Sequence, residues 1–336
     1  MRMDGMRKIN VGVIGVGHLG SLHATMYSQL EHANLVGVFD VDEQKAQNVA
    51  DERGTQAYGS VDELIAVADA VSVVTTTVAH FDVAMKALKQ GVHTFIEKPI
   101  TETIEQAKSL VALADSSHLK IQVGHIERFN PAILALESIK IKPLFIESHR
   151  LAQFNPRGSD VAVVLDLMIH DIDLILSLVK SPVARIDANG VAVVSESVDI
   201  ANARIQFQNG CVANVTASRI SQQKMRKMRL FQQDAYISID FAQGIAEVFR
   251  LVDEGDSNAQ PTMLLGKIDQ GTRKRDIIYE QPEVKEVNAL KYELELFIRS
   301  ILNDTEPPVD GRDGMQALEV AREILQRIDA QKVKLA

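Results

Sequence analysis

Cysteine is almost absent. The 336 residues contain one, Cys211, so no disulfide can close within the chain, and a reducing compartment fits. A thiolate zinc centre lacks its ligands, and no metal is expected. Cys211 itself reads as a small buried apolar residue. An excess of basic charge is also missing: 36 Lys and Arg stand against 45 Asp and Glu, for a net charge of −9. That balance argues against nucleic acid as a partner, although local charge decides whether a small anion can bind. There is no uninterrupted hydrophobic run. The most apolar stretch, 161–179, is broken by Asp166, His170, Asp171 and Asp173, which is too polar for a membrane span. Residues 1–8 lead straight into a strand-like segment without an apolar stretch of signal-peptide length, so a cytoplasmic protein is expected. Internal repeats and low-complexity segments are missing as well. What remains, 46% apolar and 24% charged residues, is the composition of a globular chain, and its length suggests about two domains.

The first 120 residues alternate strand and helix signals. Strands are expected at 9–14, 35–39, 70–74, 93–96 and 120–123, with helices at 21–30, 42–53, 61–68, 80–90 and 101–116. Ser60 is placed to cap one helix and Gly91 to close another. Such alternation predicts a parallel sheet covered on both faces. Past residue 124 the pattern changes. A helix is expected at 131–140, a strand at 144–151 and a helix at 165–179. Long β-rich stretches follow at 184–194, 199–207, 212–220, 228–241 and 246–252, and helices at 287–302 and 314–330 close the chain. Asn209-Gly210 between two of these stretches is a hairpin signal. The expected architecture is an α/β Rossmann domain, 1–124, followed by an α+β domain, 125–336, with a mostly antiparallel open sheet. One face of that sheet can be solvated or packed on a second copy, so a homodimer or homotetramer is expected.

Gly15-Val16-Gly17-His18-Leu19-Gly20 spells G-x-G-x-x-G between a strand and a helix, and Asp40 ends the next strand about 20 residues on, the dinucleotide fingerprint in its required context. Glycines permit the tight turn, the close approach of a pyrophosphate and helix–strand packing, while free amides at the helix start face the phosphates. A carboxylate at Asp40 accepts from both ribose hydroxyls of NAD and repels the extra phosphate of NADP; Val41, Asp42 and Glu43 bring no Arg to hold that phosphate. NAD is therefore the expected cofactor. Thr75 and Thr76 follow a strand at its carboxyl end, where they can line the cleft or cap the next helix.

Glu97-Lys98-Pro99 also follows a strand, and Asp166 and His170 stand one helical turn apart in an apolar segment. Together with His23-Ala24, Thr75 to His80, and Gly124-His125-Ile126-Glu127-Arg128-Phe129-Asn130-Pro131, the order and spacing resemble the glucose–fructose oxidoreductase / inositol dehydrogenase (Gfo/Idh/MocA) family over essentially the whole chain. The resemblance implies that Lys98 contacts both substrate and cofactor, where an ammonium stabilises a developing alkoxide. It implies that His170, with an unperturbed pKa of about 6.5, is the general base. Asp166 either orients His170 or binds a neighbouring sugar hydroxyl, and Asp171 packs the domain. The implied cofactor-binding set is Gly15, Gly17, His18, Leu19, Gly20, Asp40, Thr75, Thr76, His80, Glu97, Lys98 and Arg128. The implied substrate-binding set is Lys98, Arg157, Asp166 and His170. Many relatives carry two glycines shortly before this Asp; here the stretch is Gly158-Ser159-Asp160-Val161-Ala162-Val163-Val164-Leu165-Asp166.

Within the family, the loop from Gly124 to Pro131 and the run Val164-Leu165-Asp166-Leu167-Met168-Ile169-His170-Asp171-Ile172-Asp173 resemble the branch of UDP-N-acetylglucosamine 3-dehydrogenases. That implies oxidation of a sugar C3 hydroxyl to a ketone, which an aminotransferase partner can aminate. Arg219, Lys224, Arg226, Lys227 and Arg229 stand in a stretch without an acid. They either hold a diphosphate, with Arg157 as a further candidate, or form a solvated basic hairpin or subunit contact. Two alternatives are a dehydrogenase of a free polyol or sugar such as inositol, and a non-catalytic NAD(H)-binding regulator. The presence of both Lys98 and His170 speaks against the regulator.

Overall fold

The β-branched run after Lys8 forms β1 (Ile9–Ile14), buried at the centre of a six-stranded parallel sheet. A computed structural model describes residues 7–155, 161–254, 263–270 and 273–335. From β1 the chain winds outward through β2 (Ala33–Phe39) to β3 (Gln56–Ala57). It then returns to the other side of β1 with β4 (Ala70–Val73), β5 (His93–Glu97) and β6 (Ile121–Gly124), giving the order β3-β2-β1-β4-β5-β6. The order reverses between β1 and β4, and their carboxyl ends open the crevice where such sheets bind ligands. The helices between the strands are α1 (His18–Tyr27), α2 (Glu43–Arg53), α3 (Val61–Ile65), α4 (Thr77–Lys89) and α5 (Ile104–Ser117). Their ends follow local chemistry. Asp42 caps α2 by accepting from the Lys45 amide, and Gly54 closes it in the left-handed region. Thr103 and Gln106 form a capping box at α5, so the helix starts at Ile104 rather than at Thr101.

The chain packs as two units: Met1–Ile126 with Asn288–Glu319, and Glu127–Val287 with Val320–Ala336. The expected cut at 124 thus falls near the first break, but residues 288–319 return to the first unit. Their helix α8 (Ala289–Asn303) explains the return. Leu290, Leu294, Phe297 and Ile298 make one apolar face that joins Tyr27, Leu30 and Phe95 in the core of the first unit, and Phe297 meets Phe95 edge-on at 5.8 Å. The last helix, α9 (Gly311–Leu335), begins in this unit, and its part from Val320 belongs to the second.

The second unit is built on a nine-stranded sheet. Its strands are β7 (Phe145–Leu151), β8 (Val183–Val191), β9 (Ile200–Phe207), β10 (Val212–Ser218), β11 (Met225–Phe231), β12 (Ala235–Asp240), β13 (Ile245–Asp253), β14 (Met263–Gln270) and β15 (Arg273–Glu280). The order is β14-β15-β13-β12-β11-β7-β10-β9-β8, with β7 and β10 parallel and every other neighbouring pair antiparallel. Asn209-Gly210 makes the expected β9–β10 hairpin, with Gly210 at φ +87°. The expected strand 228–241 is two, because the chain turns at 232–234. The Gln232 amide there bonds to the Ala235 carbonyl. The expected helix 131–140 is only α6 (Pro131–Leu134); Ile139, Ile141 and Pro143 disfavour its continuation. β14 and β15 were not anticipated.

One face of this sheet is buried under α7 (Ile169–Val179), which a wider π-helical turn, Val164–Met168, precedes. On the opposite face Phe145, Phe231, Tyr236, Phe249 and Tyr279 stand in single file across five strands, each in register with the next. Successive ring centroids lie 5.8, 5.0, 5.5 and 5.1 Å apart. Among the described residues, no helix is long and apolar enough to cross a membrane.

Candidate active site

Each glycine of the fingerprint has its own steric reason. Gly15 sits at φ +87°, and a Cβ there would lie 2.7 Å from the Val74 carbonyl oxygen. A Cβ on Gly20 would collide with the Gly15 carbonyl, so this glycine sets how closely α1 approaches the sheet. Gly17 has no atom within 4 Å of a built Cβ; its role is to leave space above the loop rather than to avoid protein. Gly17 is also the N-cap of α1 and offers no side chain to the first amides, which leaves those donors to a ligand.

Asp40 completes this cradle. Its Oδ2 accepts from the Val16 amide at 2.8 Å and its Oδ1 from the Asp42 amide at 2.9 Å. A carboxylate has about four lone-pair positions, so two amides fix its orientation and leave capacity for a ribose diol. The neighbouring Val41 is almost fully exposed. The open space at Gly17, the uncapped helix start and the oriented Asp40 fit a dinucleotide: the amides of the first turn of α1 would hold the pyrophosphate and Asp40 the ribose. His18 and Leu19 are exposed on this turn.

Thr76 occupies the N-cap of α4, yet its hydroxyl makes no capping bond, so of the two expected roles the capping bond is not formed. Thr75 Oγ1 donates to the Thr76 carbonyl at 3.3 Å. His80 is buried, and its nitrogens lie 2.9 Å from the Pro99 carbonyl oxygen and 3.1 Å from that of Thr75. Burial holds its pKa below the usual value, against the pull of both carbonyls. His80 therefore bears on the cofactor site through the two loops it ties. Lys98 is half-buried and precedes a cis Pro99. Glu97 folds back so that its Oε2 accepts from the Lys98 amide at 3.3 Å and its Oε1 lies 3.2 Å from His23 Nε2.

In the second unit, Asp166 lies in the π-helical turn and His170 in the first turn of α7, both half-buried. Single-turn π-bulges recur at functional sites. Of the residues that hold this helix, Asp171 was expected to pack the domain, while Ser148 and Arg150 escaped the sequence analysis. Asp171 and Asp173 are buried. Asp171 accepts from Arg150 Nε at 2.7 Å and from Ser148 Oγ at 3.0 Å, and Arg150 Nη1 reaches Glu127 Oε1 at 2.8 Å. Burial works against the charge of Arg150, but Asp171 and Glu127 more than offset it and push its pKa up. The available signal was alternation in β7, where Ile146, Ser148 and Arg150 all face inward. Arg128, expected at the cofactor, has its guanidinium engaged by Asp173 through bonds of 2.7 and 2.6 Å.

The basic stretch is not one patch. Arg219 is buried and donates to the Val161 carbonyl. Arg226 pairs with Glu127, Lys227 with Asp240 and Arg229 with Glu147. Alternation along β11 puts Lys227 and Arg229 on the face opposite Arg226. Lys224 is exposed in the connection before β11. Arg157 lies outside the described residues.

The description "Oxidoreductase family, NAD-binding Rossmann fold" matches residues 9–125, and "GFO/IDH/MocA C-terminal domain" matches 147–240. A UDP-N-acetylglucosamine 3-dehydrogenase of Acidithiobacillus ferrooxidans is 39% identical over 326 residues, covering 97% of this chain and 99% of the relative. Its solved structure superimposes with a TM-score of 0.86 at 38% identity, covering 97% and 99% of the two chains. An NAD-dependent scyllo-inositol 2-dehydrogenase of Bacillus subtilis is 29% identical over 234 residues, 64% of this chain and 68% of the relative. The scyllo-inositol dehydrogenase of Lactobacillus casei, solved with NAD(H) and scyllo-inositol, shares the fold at a TM-score of 0.76 and 21% identity, covering 97% and 98%. With an intact dinucleotide cradle and matches in both units, this chain belongs to the Gfo/Idh/MocA family of NAD-binding oxidoreductases.

Proposed function

We propose that the protein oxidises the C3 hydroxyl of UDP-N-acetylglucosamine to the 3-keto sugar with NAD. The observation that carries this reading is the 39% identity, at nearly full length, to an enzyme of that name, in a chain that carries Lys98, Asp166 and His170. When bound, the dinucleotide supplies an acceptor for the carbinol hydrogen and its electron pair. The chain supplies the rest. His170 removes the hydroxyl proton as general base. The Lys98 ammonium stabilises the charge that develops on the alkoxide oxygen. Asp166, one turn before His170, orients that imidazole or holds a neighbouring sugar hydroxyl.

The product ketone is a substrate for an aminotransferase, the partner that the branch resemblance implies. Composition, with its lone buried Cys211, supports a cytoplasmic setting. The aromatic file on the open sheet face supports association of copies into a dimer or tetramer.

The test incubates purified protein with NAD and a panel of UDP-sugars and free polyols, following NADH absorbance and product mass. The expected result is turnover of UDP-N-acetylglucosamine with loss of two hydrogens, increased when an aminotransferase removes the ketone. Lys98→Ala and His170→Ala are expected to keep NAD binding while turnover falls by on the order of 10²–10⁴. Turnover of inositol but of no nucleotide sugar would assign the free-polyol reaction instead. Wild-type rates in both variants would remove the assigned roles.

A further inference from the structure

Beneath the catalytic loop, four buried or nearly buried polar groups connect α1 to Glu97. Tyr27 Oη lies 2.9 Å from Ser72 Oγ, Ser72 Oγ 3.4 Å from His23 Nδ1, and His23 Nε2 3.2 Å from Glu97 Oε1. Tyr27, His23 and Ser72 are fully buried. An ionised carboxylate only accepts, so Nε2–H of His23 points to Glu97, and in the neutral imidazole Nδ1 then carries the bare lone pair. The Ser72 hydroxyl is placed to donate to that lone pair. Ser72 in turn accepts from Tyr27, whose phenol burial keeps protonated. Every link then has one direction, from the phenol to the carboxylate, and aligned bonds of this kind reinforce one another at low dielectric.

Packing fixes the same geometry. The His23 ring meets Phe95 edge-on at 5.3 Å, which sets its plane. Gly124 leaves room for the carboxylate, since a Cβ there would lie 2.7 Å from Glu97 Oε1. The other carboxylate oxygen holds the Lys98 amide, and His80 holds the Pro99 carbonyl on the far side of Lys98. The peptide units flanking Lys98 are therefore braced from two sides, one of them by the helix whose first turn forms the dinucleotide cradle.

We propose that His23 is a positioning residue for Lys98: through Glu97 it sets the main chain from which the catalytic ammonium extends. The inference rests on the catalytic role of Lys98 proposed above. Displacing a catalytic group by about 1 Å costs on the order of 10²-fold in rate, so His23→Leu, which fills the volume and removes the donor, is expected to lower kcat by that order. NADH affinity should stay within a few-fold. His23→Gln, whose amide can donate to Glu97, should recover most of kcat. A filler of space alone would give Leu and Gln equal effects, and that result overturns the proposal, as does wild-type kcat in His23→Leu.

A readout without turnover is the NMR resonance of Lys98 after reductive methylation with ¹³C, which should move in His23→Leu and return in His23→Gln; an unmoved resonance in both counts against the proposal. Should His23→Leu not fold, Ser72→Ala and Ser72→Thr decide. Loss of the hydroxyl leaves the buried His23 Nδ1 without its partner, loosens the ring's hold on Glu97 and should lower kcat about tenfold, with Thr restoring it; wild-type kcat in Ser72→Ala overturns the role. Lys98→Ala is assayed alongside. If it keeps wild-type turnover, the role of Lys98 itself fails. If it is inactive while His23→Leu is fully active, only the positioning role fails.

Discussion

Asp40 does two jobs with one carboxylate. Its oxygens hold the Val16 and Asp42 amides, which pins the glycine loop to the end of β2, and the remaining lone pairs face the space where a ribose diol would sit. Hydrogen bonds to a charged group are worth about 1.5–3 kcal/mol each. Asp40→Ser should therefore raise KM for NAD by on the order of 10- to 100-fold and, by removing the negative charge, narrow the gap between NAD and NADP. Steady-state kinetics with both cofactors measures this. An unchanged NAD:NADP ratio would show that Asp40 serves only the loop. Gly17, next to this carboxylate, makes a matching case at the same scale: among the described residues no neighbour explains its missing side chain, and a ligand lying above it does.

At the scale of elements, α7 carries His170 and is anchored from below by charge. Arg150, Asp171, Glu127 and Ser148 are joined by bonds at 2.7–3.2 Å, all four are buried, and Arg226 reaches Glu127 from outside the set. Removing one partner of such a set leaves a buried charge unmatched, which costs about 3–5 kcal/mol. Arg150→Met and Asp171→Leu should each destabilise by that amount in urea unfolding. The double substitution should cost clearly less than their sum, because the Arg150–Asp171 attraction is lost only once and Glu127 keeps Arg226 as a partner; strict additivity would mean the pair does not interact. How much of this was readable beforehand follows from locality. The first unit was legible because its signals are local: Ser60 and Gly91 punctuate helices where the chain itself needs them, although the capping box at Thr103 was missed. The glycine fingerprint, Lys98, Asp166 and His170 were legible as motifs. The network under α7 was not, since a serine and an arginine facing inward on β7 look like ordinary strand polarity until Asp171 is placed beside them. Nor was the return of α8, whose apolar face fits any core of the right shape, or the split of β11 from β12, which uses Gln232, Gln233 and Asp234 instead of glycine or proline.

At the scale of the whole molecule, the open sheet face is where composition and topology meet. Cross-strand aromatic pairs stabilise a sheet by themselves, but five in register on the face away from α7, with Phe231 37% exposed, leave more apolar surface in water than the sheet requires. The surrounding side chains include the ion pairs Lys227–Asp240 and Arg229–Glu147, so the face carries charge of both signs. A two-fold contact uses the same patch twice, and aromatic side chains are the residues that most often dominate such contacts. A second copy of this chain is thus the proposed occupant. Light scattering on the wild-type protein should then report a dimer or tetramer, and Phe231→Glu combined with Tyr236→Glu should shift it to smaller species at the same concentration. Both side chains lie on the face opposite the core, so the circular-dichroism spectrum should be preserved. A wild-type monomer, or an assembly that survives both substitutions, would move the contact to another surface.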